Sequence, residues 1–151
     1  MDLTIQQGDL AFAVGRALGS VQQKSTQPLL SCVLLEADAK GLRVTGTDLD
    51  DNALVAAAEN ATRNGVSIAL FHPQQRIGGA FDIVIANILT NPLCVLAPLL
   101  SGLVRRGGRL VLSGILDSQA AQVRAAYLPA VSLEVAATRD GWVLLEGACP
   151  R

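Results

Sequence analysis

The residues of this chain best placed for chemistry are two acids and an amide, each near the carboxyl end of a predicted strand. Asp48 and Asp50 close the string V-T-G-T-D-L-D at 44–50, and Asn87 follows F-D-I-V-I-A at 81–86. An α/β sheet opens its ligand crevice at strand carboxyl ends, so a carboxylate there is a candidate cofactor ligand. The same positions suit structural work. Asp48 can end a strand, Asp50 or Asp51 can cap the next helix, and Asn87 can form a turn before Thr90-Asn91-Pro92. Asp50 is read as a cap rather than a ligand. The one histidine, His72, lies beside Pro73 in a loop and is read as solvated. Trp142 is read as core or hairpin packing. Cys32, Cys94 and Cys149 are odd in number, far apart and form no C-x-x-C pair. No metal site and no disulfide framework are expected, and reduced thiols point to the cytoplasm.

Composition narrows the function classes. A chain of 151 residues suits one domain, 1–151, with a sizeable core. Half of its residues are hydrophobic and 17% are charged, which is a globular composition. A net charge of −1 and 3% aromatics supply neither the basic excess nor the stacking platforms of a nucleic-acid binder. Nucleic acid is therefore not an expected partner. The N-terminus lacks the basic and apolar regions of a signal peptide. Residues 83–104 carry no charge, but Asn87, Asn91, Pro92 and Pro98 interrupt them. A buried strand, a turn and a buried helix are expected there, not a membrane span.

The positioning elements follow from periodicity and breakers. Strands are predicted at 3–5, 29–37, 42–47, 66–71, 81–86 and 109–113, and helices at 9–21, 52–63, 91–105 and 117–127. Asn91-Pro92 reads as an N-cap and first helical residue, and Gly107-Gly108 as a helix stop. Strands at 131–137 and 142–146 would close the chain as a hairpin across Arg139-Asp140-Gly141. The short loop Asp38–Gly41 makes 29–37 and 42–47 antiparallel. The fold expected is α/β: a mainly parallel sheet, mixed on one side, with helices on both faces and a terminal β-hairpin. Ile83, Val84, Ile85, Leu110, Val111 and Leu112 should be the least exposed run.

The first third resembles the opening of the bacterial DNA polymerase III beta sliding clamp. The residues that carry this are the strand at 3–5, the helix with Leu10, Val14 and Ala17, S-T-Q-P-L-L-S-C-V-L-L-E-A at 25–37 and G-L-R-V-T-G-T-D-L at 41–49. The resemblance implies a β-α-β-β segment over 1–50. Arg16 and Lys24 would be its candidate phosphate contacts, although two such contacts are too few to hold DNA at physiological salt. Self-association or polymerase binding would follow from this half.

Residues 44–151 resemble the C-terminal catalytic part of S-adenosylmethionine-dependent methyltransferases that modify lysines of the ribosomal stalk-base protein. The matching blocks are G-T-D-L-D at 46–50, E-N-A-T-R-N-G-V at 59–66 and F-D-I-V-I-A-N-I-L at 81–89. G-G-R-L-V-L-S-G-I-L at 107–116 and D-G-W-V-L-L-E-G at 140–147 complete them. The resemblance implies a Rossmann-type, class I methyltransferase fold, S-adenosylmethionine as cofactor and a ribosomal protein as substrate. It would make Asp48 the ligand of the cofactor's ribose, since two carboxylate oxygens can accept from two neighbouring hydroxyls. Asn87 would be the catalytic residue, accepting a hydrogen bond that orients the target amine.

One part of that pattern is missing. Such enzymes carry a glycine loop after their first strand, where the backbone must approach the cofactor closely. Here no glycine occurs between Gly19 and Gly41, and no two glycines are separated by a single residue. The expectation is a chimera, natural or designed, that joins the two segments at the shared string 44–50. It would bind S-adenosylmethionine weakly or not at all and catalyse poorly. The alternatives are a working methyltransferase and a clamp-derived interaction module.

Overall fold

The computed structural model describes residues 32–38, 41–72, 75, 77 and 79–150. The strand expected at 3–5, the helix at 9–21, Arg16 and Lys24 lie outside the described residues.

The described strands form one seven-stranded sheet. They are β1 (Cys32–Asp38), β2 (Gly41–Thr47), β3 (Ala69–Phe71), β4 (Phe81–Asn87), β5 (Val104–Leu116), β6 (Glu134–Arg139) and β7 (Trp142–Ala148). Their order across the sheet is β3-β2-β1-β4-β5-β7-β6. The helices are α1 (Asp51–Arg63), α2 (Thr90–Val95), α3 (Ala97–Leu103) and α4 (Ala120–Tyr127), the last preceded by a 3₁₀ turn at Asp117–Gln119. Strands β2–β3 and β4–β5 pair in parallel, whereas β1 and β7 run against both of their neighbours. The sheet is mixed rather than mainly parallel: four of its six pairings are antiparallel, although five of the seven strands point the same way.

The antiparallel β1–β2 pair is as expected, but its place is not. Rather than breaking the sheet on one side, β1 is inserted at the centre, hydrogen-bonded to β2 and β4 together. The registers tie β1 to both neighbours at once: Leu34 lies opposite Thr45 on one side and Val84 on the other, and Val33 lies opposite Gly46 and Ile85.

The two crossovers leave the centre in opposite directions, β2–α1–β3 one way and β4–α2–α3–β5 the other. Right-handed connections then place α1 on one face and α2 and α3 on the opposite face. Against the second face α2, α3 and α4 pack on one another and on the central strands. Here lies the core, with Val84, Leu93, Leu110, Leu112, Ile115, Val123, Val131 and Leu145 at zero exposure. Ile83 and Val111, expected among the least exposed residues, are only half-buried. They alternate onto the other face, where α1 has a single buried residue, Ala61.

Other differences have local causes. The helix expected over 91–105 is two short helices with a break at Leu96, because Pro98 has no N–H to give Cys94 and its ring would crowd that carbonyl. Thr90 begins the first of them, so Asn91 is not its cap and Leu89 holds that position with no side-chain bond. Gly107-Gly108 do not stop a helix. They sit in an irregularity of β5, where Val104 pairs with Phe81 but Arg109 already pairs with Ile83. A side chain at 108 would lie 2.8 Å from the Asp82 carbonyl oxygen. Strand β6 begins at Glu134 rather than 131, since Val131 and Leu133 are buried in the core. Strand β3 is three residues long, and Val66 stands exposed before it. The closing hairpin turns on Asp140 and Gly141, both with positive φ, as the mirror-image tight turn requires.

Candidate functional site

Asp48 and Asn87 come to one edge of the sheet. Cys32 is the register partner of Thr47 in β2 and of Ala86 in β4. Asp48 and Asn87 each stand one residue beyond that shared row, on strands that point the same way. Two strand spacings separate them, about 10 Å. The start of β1, not its end, lies between them.

Asp48 is buried, 5% exposed, and its Oδ1 accepts the Asp50 backbone N–H at 3.0 Å. Asp50 caps α1 as expected: its carboxylate accepts from the Asn52 backbone N–H at 2.9 Å and from the Asn52 side-chain amide at 3.1 Å. The two acids of T-D-L-D thus take different positions, one turned in at the strand end and one serving the helix. Beside them the Thr47 hydroxyl oxygen is buried and has no hydrogen-bond partner.

Asn87 is exposed at the end of β4, in register with Ser113 of β5. Gly114, with φ +82°, follows Ser113. A β-carbon at Gly114 would lie 2.5 Å from the Ile88 carbonyl oxygen and 3.2 Å from Asn87 Oδ1. Only a glycine there lets the end of β4 lie so close to β5.

Next to Asn87 opens a pocket of about 290 Å³. Leu89, Pro92, Leu116 and Trp142 form its apolar sides, and Leu116 and Trp142 are cross-strand partners. Thr90 and Gln119 supply its polar part, with the Thr90 hydroxyl donating to Gln119 Oε1 at 2.8 Å. Trp142 was expected as core or hairpin packing; it is not in the core but stands in the hairpin opposite Arg139 and Leu116, 46% exposed, and lines this pocket. Leu116, Gln119 and Gly114 had no signal in the sequence, because only the β5–β7 pairing brings them together.

The remaining candidates do not join the site. His72 is occupied in its own loop, its N–H donating to Gln75 Oε1 and its carbonyl accepting from Gln75 N, both at 2.8 Å. Cys94 and Cys149 are free thiols packed against the core, and burial pushes the Cys94 thiol up. Among the described residues no group of three His, Cys, Asp or Glu could hold a metal ion, and no helix is long and apolar enough to cross a membrane.

Comparison with known proteins gives a consistent picture. The family model for ribosomal protein L11 methyltransferase matches residues 29–149, a span that includes β1. The L11 methyltransferase of Ralstonia nicotianae is 50% identical over 105 residues, covering 70% of this chain and 35% of that protein. That of Janthinobacterium sp. is 45% identical over 111 residues, with 71% and 36% covered. The chain thus spans about a third of the length of these relatives. Among solved structures, a ribosomal protein L11 methylase from Lactobacillus delbrueckii subsp. bulgaricus superposes with TM-score 0.69 at 24% identity, over 91% of this chain and 79% of that one. A methyltransferase from Pyrococcus furiosus gives 0.63 at 17% identity, over 72% and 64%. At these identities the superpositions speak for the fold alone.

Proposed function

This chain belongs to the ribosomal protein L11 methyltransferase family, and we propose that the edge between Asp48 and Asn87 is a reduced form of a methyl-transfer site. It would take S-adenosylmethionine beside Asp48 and an amine of a ribosomal protein beside Asn87. The observation that supports this most is the common register row through Cys32, which sets the acid and the amide on parallel strand ends. Their separation of about 10 Å is of the order of a nucleoside's length, so one such ligand could reach both side chains.

The residues present fit part of the cofactor. A buried carboxylate and the unpartnered Thr47 hydroxyl suit the hydroxyls of a ribose. The amino-acid end lacks its cradle: β1 reads C-V-L-L-E-A-D, has no glycine and presents its first residue to the site rather than its last. The cofactor supplies an electrophilic methyl group. The chain's own task is to hold an amine at attacking distance with its lone pair forward, and the Asn87 side-chain oxygen can accept an N–H for that purpose.

Weak cofactor binding follows. Losing two hydrogen bonds to charged groups forfeits roughly 3–6 kcal/mol, or about two to four orders of magnitude in affinity. A micromolar site would become millimolar, and methyl transfer would be inefficient. Calorimetric titration with S-adenosylmethionine, with Asp48→Ala as control, tests this. Saturable micromolar binding that Asp48→Ala abolishes would establish an intact enzyme site instead.

The chimera reading, with residues 1–50 taken from a sliding clamp, has one structural feature in its favour. An antiparallel hairpin, β1–β2, stands where a doubly wound sheet would carry a parallel first strand. Expressing residues 44–151 without the preceding segment tests it. If the join is modular, this fragment should retain cooperative unfolding. Collapse to an unfolded chain would make β1 integral to the domain.

A further inference from the structure

The pocket beside Asn87 has a composition that selects among ligands. None of its eight lining residues is ionisable. Three of them are large hydrophobic side chains left open to solvent: Leu89 at 54%, Trp142 at 46% and Leu116 at 40%. Exposed apolar side chains gathered around one concavity and rimmed by polar groups mark a binding surface. Its one buried polar side chain, Thr90, is satisfied by Gln119 and calls for no charged partner. An ammonium group entering here would shed water without meeting a carboxylate, and the pull of a half-exposed indole on a cation is smaller than that cost.

We propose that this pocket is a subsite for an uncharged, apolar side chain of the acceptor protein, adjacent in the substrate to the residue whose amine meets Asn87. The inference rests on the methyl-transfer reading above for what occupies the Asn87 side. Continuity supports the adjacency. Gly114 lines the pocket and also lies against Asn87, and Leu89 follows Asn87 by two residues. A substrate segment laid across β4 and β5 would put one side chain at each place. The volume of about 290 Å³ admits a leucine-, methionine- or phenylalanine-sized group. Burying such a group favours it over alanine by roughly ten- to a hundredfold in affinity.

Trp142 is the only tryptophan in the sequence, so its emission reports on this pocket without cofactor or turnover. The experiment titrates the full chain at pH 7 with N-acetyl-leucinamide, N-acetyl-lysinamide and N-acetyl-alaninamide. It follows Trp142 fluorescence and the indole N–H resonance in parallel. Leucinamide should give a saturable blue shift with half-saturation at least about tenfold below that of the other two. Leu116→Glu, at an exposed strand end where folding is readily checked by thermal melting, should reverse the preference toward lysinamide. No saturable change with leucinamide in either signal would overturn the proposal, as would equal binding of lysinamide or an unchanged preference in folded Leu116→Glu. These titrations contain no S-adenosylmethionine. A leucinamide response with no S-adenosylmethionine binding even at millimolar concentration would count against the methyl-transfer reading and leave an apolar side-chain pocket without its assigned acceptor. Loss of the leucinamide response overturns the subsite whatever the cofactor does.

Discussion

Gly114 faces Ile88 so closely that a β-carbon on it would sit 2.5 Å from the Ile88 carbonyl oxygen. Its φ of +82° also lies in the region that L side chains avoid. The two conditions together hold the end of β4, with Asn87, flat against β5. Gly114→Ala should therefore destabilise the domain by about 2–4 kcal/mol, combining left-handed strain with overpacking against backbone. Urea denaturation measures it. A loss under about 1 kcal/mol would mean that the strand ends part easily and that glycine is not needed for the approach.

Val84 has no exposed surface and lies mid-strand, with Leu34 on one side and Leu110 on the other. Val84→Asp would leave an unpaired charge in the core, at a cost of several kcal/mol in a domain with roughly 5–15 kcal/mol in all. Soluble expression should be lost. A soluble variant that melts cooperatively would show that β4 is not central.

What could be read in the sequence was local. The alternation and caps around Asp50, the Asp140-Gly141 turn and the apolar run before Asn87 each carry their cause within a few residues. The antiparallel β1–β2 pair follows from a loop too short for anything else. Its insertion between β2 and β4 depends on which distant strand offers a matching row, and no window of sequence holds that information. Gly107-Gly108 show the same limit: a glycine pair after a helical pattern is a stop signal, yet the Asp82 carbonyl, 26 positions before Gly108 in the chain, is what demands glycine there. Asp48 and Asn87 were visible because each ends a strand. The pocket beside Asn87 was not, since Leu89, Leu116 and Trp142 meet only through sheet pairing.

Cys94 gives a pH-dependent prediction. Burial raises its thiol above the ordinary value of about 8.5, because the thiolate is poorly solvated there. The unfolded chain then loses this proton at lower pH than the folded one. The group's stabilising contribution is complete below the unfolded value and declines as pH rises through the folded value. The destabilisation caused by Cys94→Ala should accordingly shrink between pH 7 and pH 10, measured by urea unfolding at both. A constant or growing difference would mean that the thiol titrates as it does in the unfolded chain. Alkylation of Cys94 by iodoacetamide at pH 7.5 should likewise be slower in the folded protein than in urea.

Asp48 and Asp50 allow the last separation, between an acid that builds and an acid that binds. The Asp50 carboxylate accepts from the first turn of α1, so Asp50→Ala should cost about 0.5–2 kcal/mol and leave any cofactor affinity unchanged. Asp48 uses Oδ1 to accept the Asp50 N–H. Asp48→Asn keeps an oxygen able to accept that bond and removes the charge and one of the two acceptors proposed for the ribose. Its stability should fall by no more than about 1 kcal/mol, the ordinary size of a point-substitution effect. Its affinity for S-adenosylmethionine should fall by a further order of magnitude or more, since a hydrogen bond to a charged group contributes about 1.5–3 kcal/mol. Thermal melts and cofactor titration at millimolar concentrations read both quantities on the same samples. If Asp48→Asn loses more than about 1.5 kcal/mol of stability while its weak cofactor binding matches the parent's, Asp48 ends the strand and does nothing more.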